Sequence, residues 1–185
     1  MRTRIVIALG VALALALPAA AQAGLPKATN TLIVPAKSLG GVALGSSPTA
    51  VTNTWGKNKK CESTGFSCVY EGKNSGELGS AVLETTNEGA TYKVAAVFIT
   101  VSETIQGTTL TPNFNTPLTR FKTAKGIGIG STMKELQRAY PKAKKDALGG
   151  GIFVFDLAGP GTSFTEFQIS HGGIKTIAIR AHPGG

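Results

Sequence analysis

The chain has 185 residues and a formal net charge of +9, from 19 Lys+Arg against 10 Asp+Glu. Its two cysteines and two distant histidines give no zinc-site spacing, and it holds no G-x-S-x-G elbow, H-E-x-x-H pair or P-loop. These features point away from metal chemistry and from the commoner hydrolases, towards a protein that needs no cofactor.

Residues 1–23 read as a signal peptide. Arg2 and Arg4 precede an apolar run from Ile5 to Leu17, Pro18 breaks it, and Ala21-Gln22-Ala23 is a small-residue cleavage site. The run is too short to span a bilayer of about 30 Å, and no cysteine stands near the site to take a lipid. Residues 24–185 are therefore expected to be exported, extracellular or associated with the cell envelope, with no transmembrane segment. That length suits one medium domain or two small ones. Without Arg2 and Arg4 the 19 bases become 17, so this part carries a net charge of +7. The charge is lopsided: residues 25–111 hold seven bases and six acids, residues 112–185 ten bases and four acids. The basic half is either ordinary solubilising surface charge or an attraction to an anionic partner, which for an exported protein means an acidic protein, a cell-wall polymer or lipid headgroups rather than nucleic acid.

In chain order, the first recognisable unit is 41–55. Val42 and Leu44 alternate about a small residue, as in a short strand. Gly45 punctuates, and Ser47 caps a helix with Pro48 at its first position. Val51 and Trp55 share a face at i, i+4, and Gly56 ends the helix. Cys61 and Cys68 follow. An even pair in an oxidising compartment predicts one disulfide, worth roughly 2–3 kcal/mol. Their C-x6-C spacing is not that of a redox pair. Strands are expected at Phe66–Tyr70, Gly79–Thr85 and Tyr92–Val101, with turns at Gly72–Gly76 and Asn87–Gly89. The Thr-rich span 104–118, with Pro112 and Pro117, reads as a linker.

The unit then recurs 85 residues on, at Gly126–Tyr140, with Gly41/Gly126, Gly45/Gly130 and Ser46/Ser131 identical. Thr132 stands where Ser47 stood, and Glu135 completes a capping box. Met133, Leu136 and Tyr140 share a helix face, and Pro141 stops it. The run Gly126-x-Gly128-x-Gly130 is not a phosphate loop, since no Gly-Lys-Ser/Thr follows. Ala43 occupies the middle glycine's place in the first copy, so Gly128 reads as replaceable. Strands are expected at Ile152–Leu157, Ser163–Ile169 and Ile174–Arg180, separated by Gly159–Gly161 and His171–Gly173. The fold class is α+β. Two tandem modules, 24–103 and 119–185, would each pack a short helix on an antiparallel sheet.

Several residues are candidates for contact with a partner. Lys134, Arg138 and Lys142, with Lys144 and Lys145, form the densest basic stretch. It is either a solvated face or a docking patch for an anionic surface, weakened by salt. Tyr70, Tyr92, Phe153, Phe155, Phe164 and Phe167 lie in strands, which usually bury aromatics; any left exposed would anchor an interface. His171 and His182 read as surface histidines.

The run from Gly41 to Cys61, followed by Cys68, resembles the module of the secreted β-lactamase inhibitory proteins. The same unit occurs singly in small outer-membrane assembly lipoproteins. The resemblance implies a concave surface, formed by two sheets and projecting hairpin loops, that grips another protein. The turn from Glu71 to Leu78 would be one gripping loop, with Glu71 or Glu77 as its acidic residue. The sequence departs from that pattern in lacking a second cysteine pair and in being basic, so the inhibitors' target is not carried over. The resulting expectation is a secreted, non-enzymatic protein-binding module. An envelope-associated structural protein docking through its basic second module is the alternative, and an uncharacterised hydrolase the third.

Overall fold

The computed structural model describes residues 24–58, 61, 67–72, 77–85, 91–106 and 109–181. Residues 1–23, read as a signal peptide, Phe66, most of the Gly72–Gly76 turn, all of Asn87–Gly89, and His182 lie outside them.

Strands are the main secondary structure of the described chain, and in the longer ones other than β10 (Lys144–Gly149) apolar, β-branched and aromatic residues are frequent. In the first half the strands are β1 (Leu32–Val34), β2 (Ser38–Leu39), β3 (Val42–Ala43), β4 (Ser67–Glu71), β5 (Leu78–Thr85) and β6 (Tyr92–Thr100). The span 104–118 holds most of a hairpin, β7 (Glu103–Gln106) with β8 (Thr109–Pro112), and the start of a 3-10 turn at Pro117–Arg120. In the second half come β9 (Lys122–Thr123), β10 (Lys144–Gly149), β11 (Ile152–Ala158), β12 (Ser163–Ser170) and β13 (Gly173–Ala181). The molecule is α+β, and sheet dominates it.

The two expected meanders do not form separate sheets. They join in one antiparallel sheet of order β10-β11-β12-β13-β6-β5-β4. At the seam Ile177 lies opposite Ile99 and Ile179 opposite Val97. An unpaired β6 or β13 would leave a long apolar edge of free N–H and C=O groups; pairing the two removes both edges at once. A smaller sheet, β3-β2-β1-β9, lies beside it, and its β1 and β9 run parallel.

Two short helices cover one face of the large sheet. Helix α1 (Pro48–Trp55) begins where Ser47 Oγ accepts the Ala50 N–H. Helix α2 (Met133–Ala139) begins with a complete capping box between Thr132 and Glu135. Each helix is too short to persist alone in water and is held by its buried face. Val51 and Leu136 are both fully buried. Trp55 stands edge-on to Tyr70 of β4, and Tyr140 stacks on Phe167 of β12. Cross-strand register places Phe155, Phe167, Ile177, Ile99, Gly79 and Tyr70 in one row across the sheet. That row faces the helices, and a single core fills the space between.

The halves interlock on this side. The Lys122 N–H donates to the Thr31 carbonyl at 3.1 Å, and the Ala36 N–H donates to Thr165 Oγ1 at 2.6 Å. Ile127–Ile129 does not form the expected second-copy strand. Only Gly128 makes a bridge, opposite Lys122. A Cβ on Gly128 would be driven into the Phe121 backbone carbonyl. The middle glycine is therefore required here, although Ala43 is tolerated at the matching place, where β3 pairs regularly with β2.

Candidate functional site

Successive strand residues point to opposite faces, so the residues between the buried ones line the other side of the large sheet. One cross-strand row there runs Asp156, Glu166, Ala178, Phe98, Ser80, Val69. A second runs Val154, Gln168, Thr176, Thr100, Leu78, Glu71. Among the described residues no helix packs on this face. Its small central residues are buried: Ala178 is 0% and Ser80 3% exposed. The larger side chains around them are half-buried.

The face is divided chemically. Strands β4–β6 contribute Val69, Leu78, Val82, Ala96 and Phe98, all half-buried. Strands β11–β13 contribute Asp156, Gln168 and Thr176, together with Glu166, which pairs with Arg180 at 3.5 Å. At the seam Thr100 Oγ1 and Thr176 Oγ1 lie 2.7 Å apart and share a hydrogen bond. The result is an apolar field beside a polar one, on a platform of paired strands. Phe164, one of the expected aromatics, also lies on this side, opposite Arg180.

The expected gripping residues separate. Glu71 is exposed at the end of β4, on the uncovered face. Tyr70 is not available to a partner: it is 1% exposed, and its hydroxyl donates to the Gly56 carbonyl at 2.7 Å. Glu77 is 3% exposed, and its Oε1 has no hydrogen-bond partner among the described residues. The reason is strand parity. Residues 70 and 77 share the helix-facing side with Gly79, whereas 71 and 78 do not. Phe155 and Phe167 are likewise core, while Tyr92 and Phe153 are half-buried. Cys61 and Cys68 form the expected disulfide, and both are buried.

The basic candidates lie elsewhere. Lys134 and Arg138 are exposed on α2, and Lys142 is exposed just beyond it. Lys144 and Lys145 belong to β10, an edge strand exposed along its whole length, with Leu148 64% exposed near its end. The ammonium of Lys145 lies 4.3 Å from the Phe153 ring centroid. The Glu135 carboxyl is held below its ordinary range, chiefly by the Thr132 N–H and then by the Thr132 hydroxyl, with Arg138 and Lys122 adding to the effect. His171 sits exposed in the β12–β13 turn at φ 51°, its Nδ1 2.9 Å from Ser170 Oγ.

Among the described residues no group of three or more His, Cys, Asp or Glu is placed to hold a metal ion. Nor is any helix there long and apolar enough to cross a membrane. No family model, no curated protein and no solved structure matches this chain.

Proposed function

We infer that the chain is a secreted, non-enzymatic protein-binding protein that docks its partner on the uncovered face of the large sheet. The observation that carries this reading is the half-buried apolar field of Val69, Leu78, Val82 and Phe98, beside the polar field of β11–β13 and with no helix over it among the described residues. An apolar centre with a polar surround is the usual anatomy of a protein interface. The scale also suits one. Seven strands leave six spacings of about 4.8 Å, roughly 29 Å across, and central strands of eight or nine residues run roughly 26–30 Å. A platform of that size is close to the ~800 Å² that each partner contributes to a standard interface.

Two further points support the reading. The buried Cys61–Cys68 bridge suits an oxidising compartment. The matched glycine corners, helix caps and helix-face residues suit a platform made by two related helix-plus-sheet units, as the likeness to the β-lactamase inhibitory proteins implies. On this reading Glu71 borders the face, while Tyr70 and Glu77 support it from beneath.

The test is capture of a partner from culture fluid and envelope fractions by the wild-type chain and by Val82→Ser and Phe98→Ser. Both variants should stay folded by circular dichroism and lose the discrete partner at least tenfold. Folded variants that retain it at full strength would remove the sheet face from the account.

A further inference from the structure

On the helix side of the second half, a cleft of about 450 Å³ opens between the turn after β9 and the outer surface of α2. Lys122, Lys125, Ser131, Glu135 and Arg138 line it. Its one carboxylate is already engaged: Glu135 Oε2 accepts the Thr132 N–H at 2.8 Å and the Thr132 hydroxyl at 2.9 Å. Lys125 is fixed in place, its Nζ donating to the Ala139 carbonyl at 2.6 Å and lying 4.7 Å from the Tyr140 ring centroid. An ammonium has three protons, so two remain. Ser131 Oγ accepts the Gly128 N–H at 3.1 Å and keeps its own proton to donate. The side chains of Lys122 and Arg138 make no hydrogen bond or salt bridge among the described residues.

The fold does not require these charges. Eighty-five positions earlier, Lys122, Lys125, Ser131, Glu135 and Arg138 correspond to Lys37, Gly40, Ser46, Ala50 and Asn53. The buried partners are equivalent, Val51 for Leu136, yet the first half has one cation where the second has three. The matching corner in the first half packs without two of these three charges.

The geometry points to an anion site in this cleft, one that takes a phosphoryl group carried on a small organic moiety. Three cations and one carboxylate leave a local charge of +2, which a phosphate monoester dianion neutralises. Lys122, Arg138, the free protons of Lys125 and the Ser131 hydroxyl supply donors for its oxygens. The volume lies within the range of small-molecule sites, ~300–1,000 Å³, and leaves space beside a bare phosphate for the moiety that carries it. The site is independent of the sheet face, which lies on the opposite side of the sheet.

The test is an NMR titration of the full chain with glycerol 3-phosphate, with glycerol as the neutral comparison. Saturable shifts are expected at the amides of residues 122–131 and at Arg138, and none with glycerol. Lys122→Ala with Arg138→Ala should weaken binding at least tenfold, while Lys144→Ala with Lys145→Ala should leave it within twofold. Vesicles of phosphatidylglycerol separate the sources. Vesicle binding displaced by glycerol 3-phosphate places the phosphoryl group on a lipid, and glycerol 3-phosphate binding without vesicle binding places it on a soluble molecule. Either supports the cleft. Absence of saturation, equal weakening by both double variants, or vesicle binding without glycerol 3-phosphate binding would overturn it.

Discussion

Gly45 and Gly130 occupy matching corners 85 residues apart in the chain, with φ of +78° and +83°. The Gly45 N–H donates to the Val94 carbonyl at 2.8 Å, and the Val94 N–H donates to the Ser46 carbonyl at 2.9 Å. Gly130 and Ser131 clasp Ile174 in the same two-bond pattern, at 2.9 and 2.8 Å. Each clasp ties the start of a helix to a central strand, β6 in one case and β13 in the other.

Both corners need positive φ, and a side chain there costs roughly 1–2 kcal/mol. Gly45→Ala and Gly130→Ala should each lower stability by about that amount in urea unfolding. Near-equal losses are expected, because no atom lies close enough to either position to add a clash that decides the result. A loss confined to one corner would count against their equivalence.

Trp55 is fully buried; its indole N–H donates to the Gly40 carbonyl at 3.1 Å, and its ring stands 5.5 Å from that of Tyr70 at 81°. Trp55→Ala should cost about 3–5 kcal/mol. Trp55→Phe keeps most of the volume and loses the hydrogen bond, so its cost should be clearly smaller. Denaturation followed by circular dichroism ranks the two.

The depressed Glu135 carboxyl gives α2 a pH dependence of known sign. A group whose folded value lies below its unfolded one stabilises above the unfolded value, about 4.3 for glutamate. That contribution is lost as pH falls through the folded value. The capping contribution should therefore fade on the acid side of the ordinary carboxylate range. Followed by NMR, the Thr132 and Glu135 amides should titrate below the ordinary glutamate value, and Glu135→Gln should abolish that transition.

Removing the Cys61–Cys68 bridge frees a short loop in the unfolded chain, and in the chain-entropy model this costs roughly 2–3 kcal/mol. Cys61→Ser with Cys68→Ser should lower the urea midpoint accordingly. Two buried hydroxyls replacing the bridge add to the loss. A reduced chain as stable as the oxidised one would contradict a structural role.

Much of this fold can be read from local chemistry. Ser47 before Pro48, and Thr132 with Glu135, mark both helix starts, and six of the seven strands of the large sheet, all but β10, are marked by their apolar patterning. The seam between β6 and β13 leaves no such mark. It joins residues far apart in sequence, such as Thr100 and Thr176, through backbone hydrogen bonds that any side chains allow. Strand β10 is missed because its run Lys144–Gly149 is exposed along its whole length, with no buried face to impose alternation. The basic stretch is legible as charge, but its division between α2 and an edge strand is not. Nor is the cleft, since Lys122 and Lys125 precede the helix and meet Arg138 only once the corner has folded. Parity decides the acidic candidates, sending Glu71 to the open face and Glu77 beneath it, and only the register with β4 fixes that parity.

The most direct test of the sheet-face account is site-specific photocrosslinking, with a photoreactive residue placed in turn at Val82, Phe98 and Gln137. Val82 and Phe98 lie on the uncovered face, and Gln137 is exposed on α2. Exposed to culture fluid and envelope fractions, the chain should give one discrete adduct from positions 82 and 98 and none from 137. An adduct from 137 alone, or none from any position, would contradict it.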